Sequence, residues 1–272
     1  MRKGILLGGV RYCIEECLEG ALVDAVTRAA PAVEARSWHR VPLGLSMLSR
    51  GEISREQLRS ALDAQREHGE GRIGEWLQRL GLASELQVTA ALARQWSCPV
   101  SKINSVVQRS AAGPQVPFTL LAEFAMIPLE YVPSTRTLFV AFAEGIEYHV
   151  LYSIERMLDC RTEACMALPS VVEISLNQLG PQRGRSEMVF ESVVSIPEIC
   201  RIVRSYCVRI SAEELRLARC GRYVWIRLLR GTRSPLDLLL CQPSASPRTS
   251  KGGSNGSPVK VRHAAADMPF GE

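Results

Sequence analysis

The 272-residue chain has no run of the roughly 18–20 apolar residues that a membrane-spanning helix requires. Its opening hydrophobic stretch, Gly4 to Val10, is cut by Arg11 and is too short for an export signal, so a cytoplasmic protein without membrane insertion is expected. Aromatic residues are scarce, at 6%, and His39, His68, His149 and His263 share no ligand spacing. Neither a metal site nor histidine catalysis is therefore expected. No Cys-x-x-Cys occurs among the nine cysteines. Their odd number and scatter, with Cys13/Cys17 and Cys160/Cys165 as the nearest spacings of note, fit reduced packing residues rather than a disulfide framework. A Gly-x-x-x-x-Gly-Lys-[Ser/Thr] phosphate loop is also missing: GPQRGRS at 180–186 and GGSNGSPVK at 252–260 lack the required order. The chain is thus expected to be no enzyme and to carry no cofactor. The net charge of +5, part of it on Arg248, Lys251, Lys260 and Arg262, is too weak to imply a nucleic-acid partner.

The two ends differ from the body. Pro, Ser and Gly make up most of the stretch from Pro243 to Pro258, and such a segment buries too little apolar surface to offset its ordering entropy. Residues 243–272 are expected to be a disordered tail. At the other end, Ile14, Cys17, Leu18, Ala21, Leu22 and Ala25 recur at helical spacing and predict a helix over 12–29, stopped at Ala30-Pro31. Residues 1–40 show no relation to the rest of the chain and read as a partly helical extension; a misplaced start codon is one account of them.

Where the sequence speaks most strongly is in an internal repeat. PLGLSMLSRGEISREQLRSALDAQ at 42–65 aligns without a gap with RIGEWLQRLGLASELQVTAALARQ at 72–95. Seven of 24 positions are identical, where chance gives roughly one or two. Each copy parses as a short helix ended by a glycine (Gly51, Gly81), then a serine N-cap (Ser54, Ser84) with a glutamine at the capping-box position (Gln57, Gln87), then a second helix. Leu58, Ala61, Leu62 and Gln65 share one face of that helix, as do Val88, Ala91, Leu92 and Gln95. A glutamine ending each apolar face demands a hydrogen-bond partner. The leucines and glycines are what any pair of packed hairpins would need, and Trp76 and Trp96 read as core or interface residues.

Beyond Cys98-Pro99 the pattern turns to short strands alternating with helices: a small α/β unit over 106–180, a polar linker at 180–186, and a second small α/β unit over 187–242. The fold class expected is α+β, a tandem helical-hairpin module over 41–105 followed by two small α/β subdomains.

The doubled motif resembles the N-terminal, MshEN-type domain of type II secretion and type IV pilus assembly ATPases. That family repeats Arg-Leu-Gly, aliphatics, Gly, aliphatics, Leu, Leu and Gln in tandem; the second copy here matches at Arg72, Ile73, Gly74, Leu77, Gly81, Leu82, Val88, Leu92 and Gln95, and the first at Leu43, Gly44, Met47, Leu48, Gly51, Ile53, Leu58, Leu62 and Gln65. The resemblance extends to 106–180 and faintly to 196–229. It implies a binding site for the bacterial messenger cyclic di-GMP. In it Arg72 would contact guanine or phosphate, and Leu43, Gly44, Met47, Leu48, Leu58, Leu62, Ile73, Gly74, Leu77, Val88 and Leu92 would line the site. Gln65 and Gln95 would close its halves. An arginine fork suits the O6 and N7 acceptors of guanine. The sequence departs from the family at Pro42, which stands for the first arginine, and at Glu52 and Gln78, which stand for aliphatics. The chain ends where the ATPase core would begin, so a regulatory or adaptor protein is expected. The alternative is a protein-interaction module of a secretion or pilus apparatus that has lost nucleotide binding.

Overall fold

The computed structural model describes residues 4–13, 17–29, 40–101, 115–183, 187–193, 195–242 and 261–262. The expected tail lies outside them except for two residues, as do His39, His263 and part of the start of the 12–29 helix.

The repeat region forms four helices: α2 (Leu43–Ser49), α3 (Arg55–His68), α4 (Ile73–Arg79) and α5 (Glu85–Gln95), preceded in the chain by α1 (Cys17–Arg28). The local chemistry is duplicated. Gly51 and Gly81 both take left-handed φ, +69° and +66°, where a side chain would be strained. Ser54 accepts from the Gln57 amide while the Gln57 side chain accepts from the Ser54 amide, and Ser84 and Gln87 repeat this capping box. The helices interleave across the repeat, α3 packing on α4 and α2 on α5, around a core that includes Met47, Ala61, Leu77 and Ala91, all fully buried.

A three-stranded sheet follows: β3 (Met126–Val132) runs antiparallel to β4 (Thr137–Phe142), which pairs in parallel with β5 (Arg161–Met166). It is flanked by α6 (Phe118–Glu123), α7 (Tyr148–Leu158) and α8 (Pro169–Arg183). The expected linker at 180–186 is corrected over its first four residues, where α8 runs on through Gly180 to Arg183; 184–186 lie outside the described residues. Leu179 is buried, and Gly180 lies so close to Phe118 that a Cβ there would sit 3.3 Å from the ring. Its missing side chain is a packing device, not a hinge.

The second sheet is built from both ends of the described chain. Its order is β10-β6-β9-β8-β7-β1-β2, with β1 (Ile5–Leu7), β2 (Val10–Tyr12), β6 (Glu187–Phe190), β7 (Glu214–Cys220), β8 (Tyr223–Arg230), β9 (Arg233–Cys241) and β10 (Val261–Arg262). β1 pairs in parallel with β7, Leu6 opposite Glu214. Ile5 and the α1 residues Leu18 and Leu22 are fully buried against Ile199, Val203 and Cys207 of α9 (Ile196–Ile210). The described residues between 4 and 29 therefore belong to the unit that 187–242 completes. Their relation to it is invisible locally because the partner strand of β1 begins only at Glu214. The two α/β units also share one core, in which Trp225 and Leu239 of this sheet meet Phe142, Met126 and Leu120.

Across β6, β9 and β8 runs a row of charge, half-buried at Glu187 and buried at Asp237 and Arg227. Arg227 and Asp237, 5% and 3% exposed, pair at 2.7–2.8 Å through two guanidinium nitrogens, and the Trp225 indole N–H donates to the same carboxylate. Arg227 also donates to the Gln115 carbonyl. Glu187, opposite Asp237, accepts from the Thr119 hydroxyl and amide. Burial raises the Glu187 carboxyl above its ordinary pKa, and Asp237 adds to this. The network ties α6 to the sheet.

Candidate functional site

A cleft of about 380 Å³ opens at the seam between the helical repeat and the three-stranded unit. That size falls within the range of small-ligand sites. Leu43, Ile73, Gly74, Val88 and Leu92 form its apolar floor, with Arg72, Gln95 and Trp96 beside them. The far wall is Ala143, Glu144, Gly145 and Glu147, from the loop after β4, together with Pro169 at the start of α8. The α5 helix builds the seam. Its Glu85 carboxylate accepts from the Ser170 amide and hydroxyl at 2.7 and 2.8 Å, and Trp96 packs against Gly145.

Of the residues singled out in sequence, Leu43, Arg72, Ile73, Gly74, Val88, Leu92 and Gln95 come together here. The rest stand elsewhere. Met47 and Leu77 are fully buried in the repeat core, and Leu58, Leu48 and Leu62 pack with them. Gly44 faces Leu58, whose Cδ1 would lie 2.5 Å from an added Cβ; Gly74 faces Val88 and Leu43 at 2.9 and 3.2 Å. Both glycines admit close helix approach, and Gly74 also brings the first residue of α2 against the second copy.

The glutamines have found their partners. Gln65 Nε2 donates to the Gly71 carbonyl and Gln95 Nε2 to the Val41 carbonyl, each at 2.7 Å. Positions 41 and 71 are equivalent in the two copies, so the end of each copy clasps the residue before the start of the other. Gln95 does this while lining the cleft; Gln65 does it outside the cleft.

Charge at the cleft is mixed. Arg72, at the N-cap of α4, reaches the Glu144 carboxylate at 3.1 Å and its carbonyl at 3.3 Å. Both side chains are more than half exposed. Glu75 and Glu147 also line the cleft, Glu75 paired with Arg79 at 3.8 Å and Glu147 beside His149 at 3.3 Å. Pro42, at the matching place in the first copy, caps α2 and offers no charge. The acidic residues of the β4–α7 loop were not foreseen. Glu144-Gly145 directly after an apolar strand was the available signal, but only the tertiary fold brings it opposite Arg72. Glu52, which stands for an aliphatic, is held away from the cleft by Arg94 at 2.6 Å.

The described residues contain no cluster of three or more His, Cys, Asp or Glu groups able to hold a metal ion, and no helix among them is long and apolar enough to cross a membrane. Burial drives the thiols Cys160, Cys165 and Cys220 up to about 11 and Cys207 to about 12. Such thiols lack the lowered pKa of reactive cysteines.

No family model matches the chain. No curated protein matches it either. Among solved structures, MshE with cdg is 26% identical with a TM-score of 0.43, spanning 51% of this chain and 99% of that one. The N-terminal domain of XpsE in two crystal forms is 18% and 19% identical, with TM-scores of 0.37 and 0.30, spanning 50% and 48% of this chain and 92% and 90% of theirs. Over about half its length, then, this chain is similar to the MshE structure and to the N-terminal domain of XpsE, nearly the whole of each of which it covers.

Proposed function

We propose that the chain is a non-catalytic regulatory module in which cyclic di-GMP enters the seam cleft and competes with Glu144 for Arg72. The supporting observation is the convergence of Leu43, Arg72, Ile73, Gly74, Val88, Leu92 and Gln95, half of the motif-derived set, on one open cleft. The aliphatic floor suits a purine face, and the exposed Arg72 fork suits guanine edges or phosphate. Glu144 belongs to the β4–α7 loop, so a ligand that takes Arg72 from it removes one link between the helical repeat and the α/β body. Occupancy is thereby converted into a change at the seam, the two-state element that a signalling module needs.

Calorimetric titration of the purified chain with cyclic di-GMP tests the reading. Heat of binding lost on Arg72→Ala supports it, and no heat at near-millimolar ligand rejects it. A second reading is favoured by Pro42 and by the carboxylates of Glu75, Glu144 and Glu147 among the cleft's lining, which oppose a dianion. In it the module has lost the nucleotide and docks on proteins of a secretion or pilus apparatus. Co-purification with the inner-membrane components of such an apparatus, unchanged by the dinucleotide, would favour this second reading.

A further inference from the structure

We infer, resting on the seam-cleft reading, that the bound dinucleotide spans two clefts. One guanine lies on the aliphatic floor beside Arg72, and a phosphodiester is held in an adjoining arginine cleft by Arg40 and Arg50. This second cleft, of about 260 Å³, is lined by Arg40, Val41, Ser46, Arg50, Arg94 and Gln95. It meets the seam cleft at two places. Gln95 lines both. Trp96, which lines the seam cleft, carries the Arg40 guanidinium over its ring, 3.3 Å from the centroid.

Charge divides between the two. The lining of the seam cleft holds one arginine, Arg72, and the carboxylates of Glu75, Glu144 and Glu147. In the second cleft three guanidiniums meet the carboxylate of Glu52, which lies 2.6 Å from Arg94 and 3.7 Å from Arg50. A guanine is neutral and each phosphodiester carries one negative charge, so the base suits the first cleft and the phosphate the second. Coulomb repulsion from the seam carboxylates also weakens as the phosphate moves beyond Gln95. Arg40 is the cation with least to give up. It is half-buried, and no described residue forms an ion pair or hydrogen bond with its guanidinium, whereas Arg72 is engaged by Glu144 and Arg94 by Glu52. A guanidinium stacked on a ring keeps its N–H donors in its own plane, open to an anion. Arg40 thus supplies, two residues earlier in the chain, the cation that Pro42 lacks.

The test is calorimetry on the full chain with cyclic di-GMP, at two salt concentrations, for the wild type and for Arg40→Ala, Arg40→Lys, Arg50→Ala and Arg72→Ala. Arg40→Ala weakens binding roughly tenfold or more, the loss of one charge-assisted hydrogen bond, and makes it less sensitive to salt. Arg40→Lys recovers most of that loss, because a phosphate accepts a point charge. Arg50→Ala, at a side chain 58% exposed and away from the Trp96 ring, weakens binding several-fold without disturbing the fold. Weaker binding in Arg72→Ala with wild-type affinity in both Arg40→Ala and Arg50→Ala overturns the second cleft and leaves the seam reading standing. So does a loss in Arg40→Ala that Arg40→Lys does not recover. Loss in Arg40→Ala and Arg50→Ala with wild-type affinity in Arg72→Ala keeps the phosphate anchor and removes the seam reading. No heat from the wild type at near-millimolar dinucleotide removes both.

Discussion

Glu144→Gln and Arg72→Ala should move dinucleotide affinity in opposite directions, because in the apo chain the two residues satisfy one another. Their side chains are 54% and 63% exposed at 3.1 Å separation. An exposed pair of this kind contributes about 0.2–1 kcal/mol. Glu144→Gln therefore returns at most about fivefold in affinity through release of the guanidinium. Removing a negative charge beside a dianion adds to the gain in the same direction. Arg72→Ala instead deletes a charge-assisted hydrogen bond of about 1.5–3 kcal/mol, or roughly ten- to a hundredfold. Neither change should lower Tm by more than a few degrees, since an exposed pair contributes so little. Titration calorimetry of both variants and the double mutant, at two salt concentrations, reads all of this. A weaker Glu144→Gln complex, or an Arg72→Ala complex of wild-type strength, would show that Arg72 is not the ligand's anchor.

The row of charges across the sheet yields a stability prediction. Asp237→Ala strands the Arg227 guanidinium and should cost about 3–5 kcal/mol, lowering Tm by roughly 6–20 °C at about 2–4 °C per kcal/mol. An Arg227→Met/Asp237→Leu double variant should lose much less, and thermal melts compare the two. Glu187 sets a pH dependence. Its folded pKa is raised, so its ionised form is penalised in the native state, and the penalty appears as pH rises through that raised value. Glu187→Gln should raise Tm near neutral pH and bring no gain below the unfolded carboxyl range of about 4.3, read from melts between acid and neutral pH. Ser54→Ala and Ser84→Ala should each cost about 1 kcal/mol of helix capping, measured by denaturant titration. Cys207, held up at about 12 by burial, should resist alkylation at pH 8 until the chain unfolds, as mass spectrometry of trapped samples will show.

Local rules wrote the helices of the repeat into the sequence. Serine caps, glycine stops and an apolar stripe are short-range devices, and the duplication displayed each of them twice. The partner of Gln65 and Gln95 could be demanded from their position but not named, because the Val41 carbonyl that Gln95 bonds belongs to the far end of the other copy. The motif's Leu58, Met47 and Leu77 looked the same as Ile73, Val88 and Leu92 in sequence. Only packing sorts them into core and cleft, since an aliphatic residue is suited to either. Strands β1 and β2 escaped notice because short strands flanking Gly8-Gly9 carry no periodicity, and the pairing of β1 with β7 is a property of the whole chain. The same holds for Glu144, whose acidity gains meaning only once the β4–α7 loop faces α4.

The pairing of Leu6 with Glu214 has a consequence during synthesis. A ribosome adding about 5–20 residues per second releases β1 and its hairpin partner β2 about 10–40 seconds before β7, the other neighbour of β1, exists. The repeat, whose contacts are local, can assemble meanwhile, while Ile5, Leu18 and Leu22 wait with their apolar faces uncovered. The order of assembly thus places the helices of the repeat first and the seven-stranded sheet last, and the early amino-terminal segment is the part of the nascent chain that chaperones would need to shelter.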